Sequence, residues 1–263
     1  MPSPSRADPP ADPATDSASD SAADAPLRLA VFGDSHYACV RAAEGRVDLA
    51  GLDVEYWGHV GRRFKFLTWA DDAIRATDDQ TALRFAKFNE KGRTNLPVRE
   101  FDAILFVGCR LYLTPIFLLA AQARADGRHL SSALTDRLIL DRLTGTPTWD
   151  FAVQAARLGT RILISPPSFP TEGGEHGWQE LFPDGGALTP DDRAHVWDRA
   201  QALMAGFGVT LVPQPVETVA AGATTWLSFA TDGHATTGDA EHKNADYGAL
   251  VWRDALAALR GAV

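Results

Sequence analysis

The chain has 263 residues, 45% of them hydrophobic and 22% charged, the balance of an ordinary globule with enough apolar material for a full core. Its net charge of −9 is uneven: residues 1–26 hold five Asp and one Arg, a share of −4, which leaves −5 for residues 27–263. A mildly acidic body argues against a nucleic-acid backbone or an anionic membrane as partner, and no window approaches the roughly eighteen uninterrupted apolar residues of a membrane span.

Residues 1–26 consist almost wholly of Pro, Ala, Ser and Asp. Such a segment buries too little surface to offset its ordering entropy and is expected to be a disordered acidic tail ahead of a single domain over 27–263. It lacks the basic start and apolar stretch of a secretory signal, so a cytoplasmic location is expected. Two cysteines, Cys39 and Cys109, fit a reducing compartment, form no metal spacing and read as small core residues.

The first strand, "LRLAVF" (27–32), stops at Gly33-Asp34-Ser35-His36, and a helix is expected over 36–44. "LDVEYW" (52–57) reads as a second strand, followed by the basic and aromatic run "GRRFKFLTW" (61–69) and a helix near 80–91. "FDAILFVG" (101–108) gives a third strand, then helices over 115–125, 131–143 and 147–158. "TRILIS" (160–165) and "VTLVP" (209–213) complete the strands, with helices at 190–206 and 244–260. Regions 166–189 and 213–241, rich in Gly and Pro, are candidate substrate loops.

Strands too apolar for one-sided exposure, alternating with helices, predict a parallel sheet covered on both faces. Right-handed crossovers then give a three-layer α/β/α doubly wound fold of about five strands. Chemistry in such sheets gathers beyond the carboxyl ends of the strands, where Ser35, Gly58 to Arg62, Gly108 to Arg110 and Ser165 to Ser168 fall.

A hydroxyl at the end of a central strand, with a helix starting behind it, is placed for nucleophilic attack. Serine needs a base and a group to orient it. The stretch "TTGDAEHKNADYG" (236–248) offers both, since Asp239 and His242 are three apart, close enough for a carboxylate to hold Nδ1–H while Nε2 faces Ser35. Asp232 and His234 in "TDGHATTGD" form a rival pair with spacing one residue short.

These two blocks, "FGDSH" and "DAEHKNADYG", are where the chain resembles the SGNH (GDSL-like) hydrolase superfamily, whose flavodoxin-like fold matches the predicted sheet. The GDSH form resembles domains that handle acyl groups on polysaccharides. The resemblance implies a serine esterase or O-acyl transferase working through an acyl-serine intermediate, on a small-molecule or glycan ester, with no metal or organic cofactor. Carried over by position, Ser35 is the nucleophile, His242 the base and Asp239 its orienter, with the Ser35 N–H in the oxyanion hole. Gly61, with Gly58 as second choice, matches the family's glycine after strand two. Gly108-Cys109-Arg110 stands where Gly-x-Asn is the rule, so Arg110 replaces the usual amide donor and serves either the oxyanion or an anionic group of the substrate.

Two other functions stay open: a binding protein for an anionic glycan or nucleotide sugar with Arg110 as anchor, and a lipase or thioesterase. Plainer readings accompany several residues. His36 is a pocket wall or helix-start residue, His59 a pocket or surface-loop residue, "GRRFKFLTW" a solvated edge with two buried phenylalanines, "SPPSFP" (165–170) a loop stiffener, and Asp34 a turn former.

Overall fold

The structure, a computed structural model, describes residues 25–58, 61–173 and 184–261. Most of the acidic tail, His59 and the middle of the 166–189 region lie outside the described residues.

Five parallel strands form the main sheet: β1 (Leu27–Gly33), β2 (Leu52–Gly58), β6 (Ala103–Val107), β7 (Arg161–Ser165) and β8 (Val209–Leu211). Their order is β2-β1-β6-β7-β8. The register aligns Gly33 with Gly58 on one side and with Val107 on the other, so the loops carrying Ser35, Gly61 and Arg110 leave one edge of three neighbouring strands. The chain reverses direction across the sheet between β1 and β6, the crevice where such folds hold ligands.

Alternate strand residues feed two cores. Ala30, Phe32, Ile104 and Phe106 point to one face. Helices α2 (Asp79–Phe88), α3 (Thr114–Ala125), α4 (Ser132–Thr144), α5 (Pro147–Arg157) and α6 (Pro190–Ala205) supply buried side chains to that core. Leu29, Val31, Ala103 and Leu105 point to the other face, covered by α1 (Tyr37–Ala42) and the last helix, α8 (Ala245–Arg260). This is the expected three-layer α/β/α arrangement, with strands buried on both faces.

The covering helices α1 and α8 meet at backbone distance. A Cβ on Gly248 would lie 2.0 Å from the Cys39 carbonyl oxygen, and Trp252 Nε1 donates to the Val40 carbonyl at 2.9 Å. Because α1 begins just after Ser35 and α8 begins just after His242, this contact sets the separation of the two segments.

A second, smaller sheet was not expected. Strands β3 (Leu67–Ala70), β4 (Ala73–Ala76) and β5 (Asn95–Pro97) pair antiparallel in the order β3-β4-β5. The β3–β4 turn is Asp71-Asp72, both with positive φ (48° and 55°), the twist a two-residue hairpin needs. The run "GRRFKF" forms a short 3₁₀ segment in which Phe64 is buried and Phe66 half-buried, while Arg63 reaches Asp78 at 3.3 Å. One phenylalanine is buried where the plainer reading expects two, while Arg62 and Lys65 are exposed as a solvated edge requires.

The described parts of the two Gly/Pro-rich regions are tied down. Gln214 accepts from Phe169 N–H at 2.7 Å and donates to Thr218 and Thr225 hydroxyls at 2.9 Å. Thr171 N–H donates to the Ala240 carbonyl at 2.8 Å, so the segment after β7 braces the loop ahead of His242. Within that loop lies α7 (His234–Thr237). No helix among the described residues is long and apolar enough to cross a membrane.

Candidate active site

Ser35 sits exposed on the turn between β1 and α1. The turn is held by Asp34, which is 2% exposed: Oδ1 accepts from His36 N–H at 3.1 Å and Oδ2 from Arg110 N–H at 3.0 Å. One carboxylate therefore fixes the loop after β1 and ties it to the loop after β6. That is more than the local turn role expected of it.

On the other side, Asp239 gathers three donors. Oδ1 accepts from the N–H groups of Glu241 and His242, each at 3.0 Å, and Oδ2 pairs with His242 Nδ1 at 2.7 Å. Burial opposes ionisation of Asp239, but the bonds from His242 outweigh it and hold the carboxyl below its ordinary value. The Asp239–His242 pair is thus bonded as its spacing predicts. The rival pair is not: His234 Nδ1 lies 2.8 Å from the Asp239 carbonyl oxygen, so its ring supports the same loop.

Ser35, Asp239 and His242 line one open cavity of about 660 Å³, together with Lys243, Asn244 and Thr231. His242 Nε2 is buried and has no hydrogen-bond partner, so the bond to Ser35 Oγ is not closed. Catalytic bonds in ligand-free sites are commonly long and tighten with substrate.

Three residues near the pair were undervalued or missed in the sequence. The His36 ring stacks on His242, with centroids 5.2 Å apart and planes at 29°, and its other neighbour is Tyr112, edge-on at 6.2 Å. Burial, against the pull of Asp34, lowers the His36 imidazole below its ordinary value, which favours a neutral ring beside His242. Burial also pushes the Tyr112 hydroxyl up to about 12. Lys243 is 7% exposed, and its Nζ donates to the carbonyls of Ala240 and Glu241 at 2.8 and 3.1 Å. The loop between Asp239 and His242 is thereby held through its N–H groups by one carboxylate and through its carbonyls by one ammonium. A lysine next to the histidine was the available signal; an ammonium aimed back at its own loop leaves no trace in spacing.

The glycine block resolves into separate tasks. A Cβ on Gly58 would fall 2.3 Å from the Tyr37 ring, so that residue is packed shut. At Gly61 the same atom would meet only the Arg110 guanidinium, at 3.1 Å. Gly61 and Arg110 thus come together, as both assignments require, although neither lines the cavity that holds His242. The Gly108 N–H is bonded to the Ser165 carbonyl at 2.8 Å. Its hydrogen side chain leaves room for Asp34, whose Oδ1 a Cβ would approach to 2.5 Å.

Gly108, Cys109 and Arg110 all have positive φ, at 71°, 53° and 59°. Two non-glycine residues in this region are strained, and such strain persists where surroundings over-determine it. Here the Asp34 bond to Arg110 N–H and the Thr148 hydroxyl on the Cys109 carbonyl, 2.7 Å away, do so. Among the described residues, no group of three or more His, Cys, Asp or Glu side chains is arranged to hold a metal ion.

The hydroxyl after β1, the bonded Asp239–His242 pair ahead of the last helix and the β2-β1-β6-β7-β8 order are now all in place. No family model matches the chain, and no curated protein does. Solved structures similar to it include a GDSL-like lipase from Bacteroides thetaiotaomicron, at TM-score 0.44 and 12% identity over 90% of this chain and 89% of that one. A carbohydrate acetylesterase family member from Sinorhizobium meliloti follows at TM-score 0.41 and 15% identity, over 89% and 97%. An inhibitor-bound aryl esterase of M. smegmatis aligns at TM-score 0.42 and 14% identity, over 90% and 100%. These are likenesses of outline alone.

Proposed function

We propose that the chain is a serine ester hydrolase, open to acyl transfer, acting through an acyl-serine intermediate on an acylated carbohydrate. The observation that carries this reading is the 2.7 Å bond between Asp239 and His242 in the cavity that Ser35 also lines. Asp239 fixes the tautomer with Nδ1 protonated, leaving Nε2 as the base.

In the first step Nε2 takes the Ser35 proton while Oγ bonds to the ester carbonyl carbon, and the carbonyl π electrons move onto oxygen. The oxyanion is met by N–H groups of Ser35 and Gly61. Collapse breaks the bond to the alcohol, which leaves with the proton from His242. Water, or a second alcohol in transfer, then attacks the acyl-serine with His242 again as base. The polar cavity wall, with Thr231, Asp232, Asn244 and Asp246, suits a hydroxylated substrate better than a long acyl chain.

A second reading, a binding protein without efficient turnover, is favoured by one observation, the open Ser35–His242 bond. Labelling by a fluorophosphonate probe separates the two. Wild type is expected to label and to hydrolyse simple acetate esters, with both lost in Ser35→Ala. In His242→Ala both should fall by about 10²–10⁴-fold. A folded wild type that neither labels nor turns over an ester would sink the enzyme reading.

A further inference from the structure

Arg110, on the loop tied to the Ser35 turn through Asp34, has a guanidinium with no assigned partner among the described residues. Its backbone is in the left-handed region, its N–H is fixed on Asp34, and its guanidinium lies over Gly61, where a side chain would crowd it at 3.1 Å. Other arginines, such as Arg63, Arg93, Arg124 and Arg199, are paired with carboxylates. The Arg110 guanidinium has no such pair among the described residues. Asp34, which Arg110 meets through its backbone N–H, also accepts from the His36 N–H. Arg110 is thus an exposed guanidinium on a strained, anchored backbone, beside Gly61 and tied to the Ser35 loop through Asp34, on an otherwise acidic body. A planar guanidinium matches a carboxylate or phosphate through two parallel bonds.

We propose that the substrate ester bears an anionic group, a carboxylate or a phosphate, and that Arg110 is the residue that selects it. The proposal rests on the esterase reading for the word substrate, but the anion site itself does not need turnover. Arg110 acts by binding, so the quantity that reports it is the ratio of kcat/KM for an anionic ester over that for a neutral one.

Acetate release is measured for tetra-O-acetylglucuronate against penta-O-acetylglucose, and for 4-acetoxyphenyl phosphate against phenyl acetate, with wild type, Arg110→Ala and Arg110→Lys. Wild type should favour at least one anionic ester by about ten- to hundredfold, the range of a charge-assisted pair, with the ratio falling to about one in Arg110→Ala and lying between in Arg110→Lys. Preference for the glucuronate or for the phosphate tells which anion the site takes, and either supports the proposal. A ratio near one in wild type, or one that survives in Arg110→Ala, overturns it. In parallel, glucuronate and inorganic phosphate are titrated calorimetrically into wild type, Arg110→Ala and Arg110→Lys. If no ester is turned over and Ser35 does not label, the esterase reading fails, and calorimetry alone decides. Heat seen in wild type, weakened in Arg110→Lys and absent in Arg110→Ala upholds the anion site; no heat in wild type overturns it.

Discussion

Asp34 is a residue whose two oxygens serve two loops. Each accepts a backbone N–H, from His36 and from Arg110, inside the protein where an unmet donor is costly. Asp34→Asn turns one acceptor into a donor that faces an N–H. The expected outcome is a loss of about 1–3 kcal/mol in unfolding stability, with slower labelling of Ser35, read by urea denaturation and by probe kinetics. Lys243 makes a different prediction. Burial lowers its ammonium to about 8, below the ordinary lysine value of 10.5. Between those values the unfolded chain binds a proton that the folded chain does not, so stability rises with pH across this interval. The buried thiols Cys39 and Cys109, raised by burial, slope the other way in the same window, so the test is a difference: from pH ~8 to ~10 the stability of wild type minus that of Lys243→Met should climb, the thiols being common to both. A difference that stays flat across that window would contradict the lowered Lys243 ammonium.

At the scale of elements, the deciding contact is α1 against α8. Gly248 lets the backbones touch, and Gly248→Ala places a methyl group 2.0 Å from the Cys39 carbonyl oxygen. Backbone cannot yield as a side-chain tip does, so the helices must part. A destabilisation of about 1–3 kcal/mol or more is expected, seen as a lower Tm, together with slower Ser35 labelling, because the helices carry the two halves of the site. The elements also show which signals the sequence carries. The five buried strands were legible because continuous apolar runs between turn residues admit few other readings. The β3–β4 hairpin was not: its turn is Asp71-Asp72, without the glycine that marks most such turns, and its strands are four residues each. Several predicted element ends moved by one to three residues, as with the strand expected over 101–108 and found over 103–107.

At the scale of the whole molecule, what could be read was what depends on local pattern: the layered sheet, Ser35 at a strand end, and Asp239 three before His242. What could not be read depends on segments far apart in sequence. The His36–His242 stack, Arg110 over Gly61 and the Gly108 N–H closing on Ser165 are products of the sheet order. The same burial bears on the thiols. Cys39 and Cys109 are both buried, and burial pushes the Cys39 thiol up to about 12. Neither should react with a disulfide reagent in the folded protein, and both should react once it is unfolded, which a thiol titration with and without denaturant measures. Fast labelling of the native protein would show an opening the packing does not allow.

The contact at Gly248 also has a meaning in time. Synthesis proceeds from the N-terminus, and long-range closures come late in folding. Ser35 precedes His242 by 207 residues, so the nascent chain carries its hydroxyl through the synthesis of that whole stretch before His242 exists. Under the proposed function, docking of α8 onto α1 through Gly248 is then the event that brings His242 to the serine. A chain stalled or cut before residue 242 would carry the serine in an unarmed state.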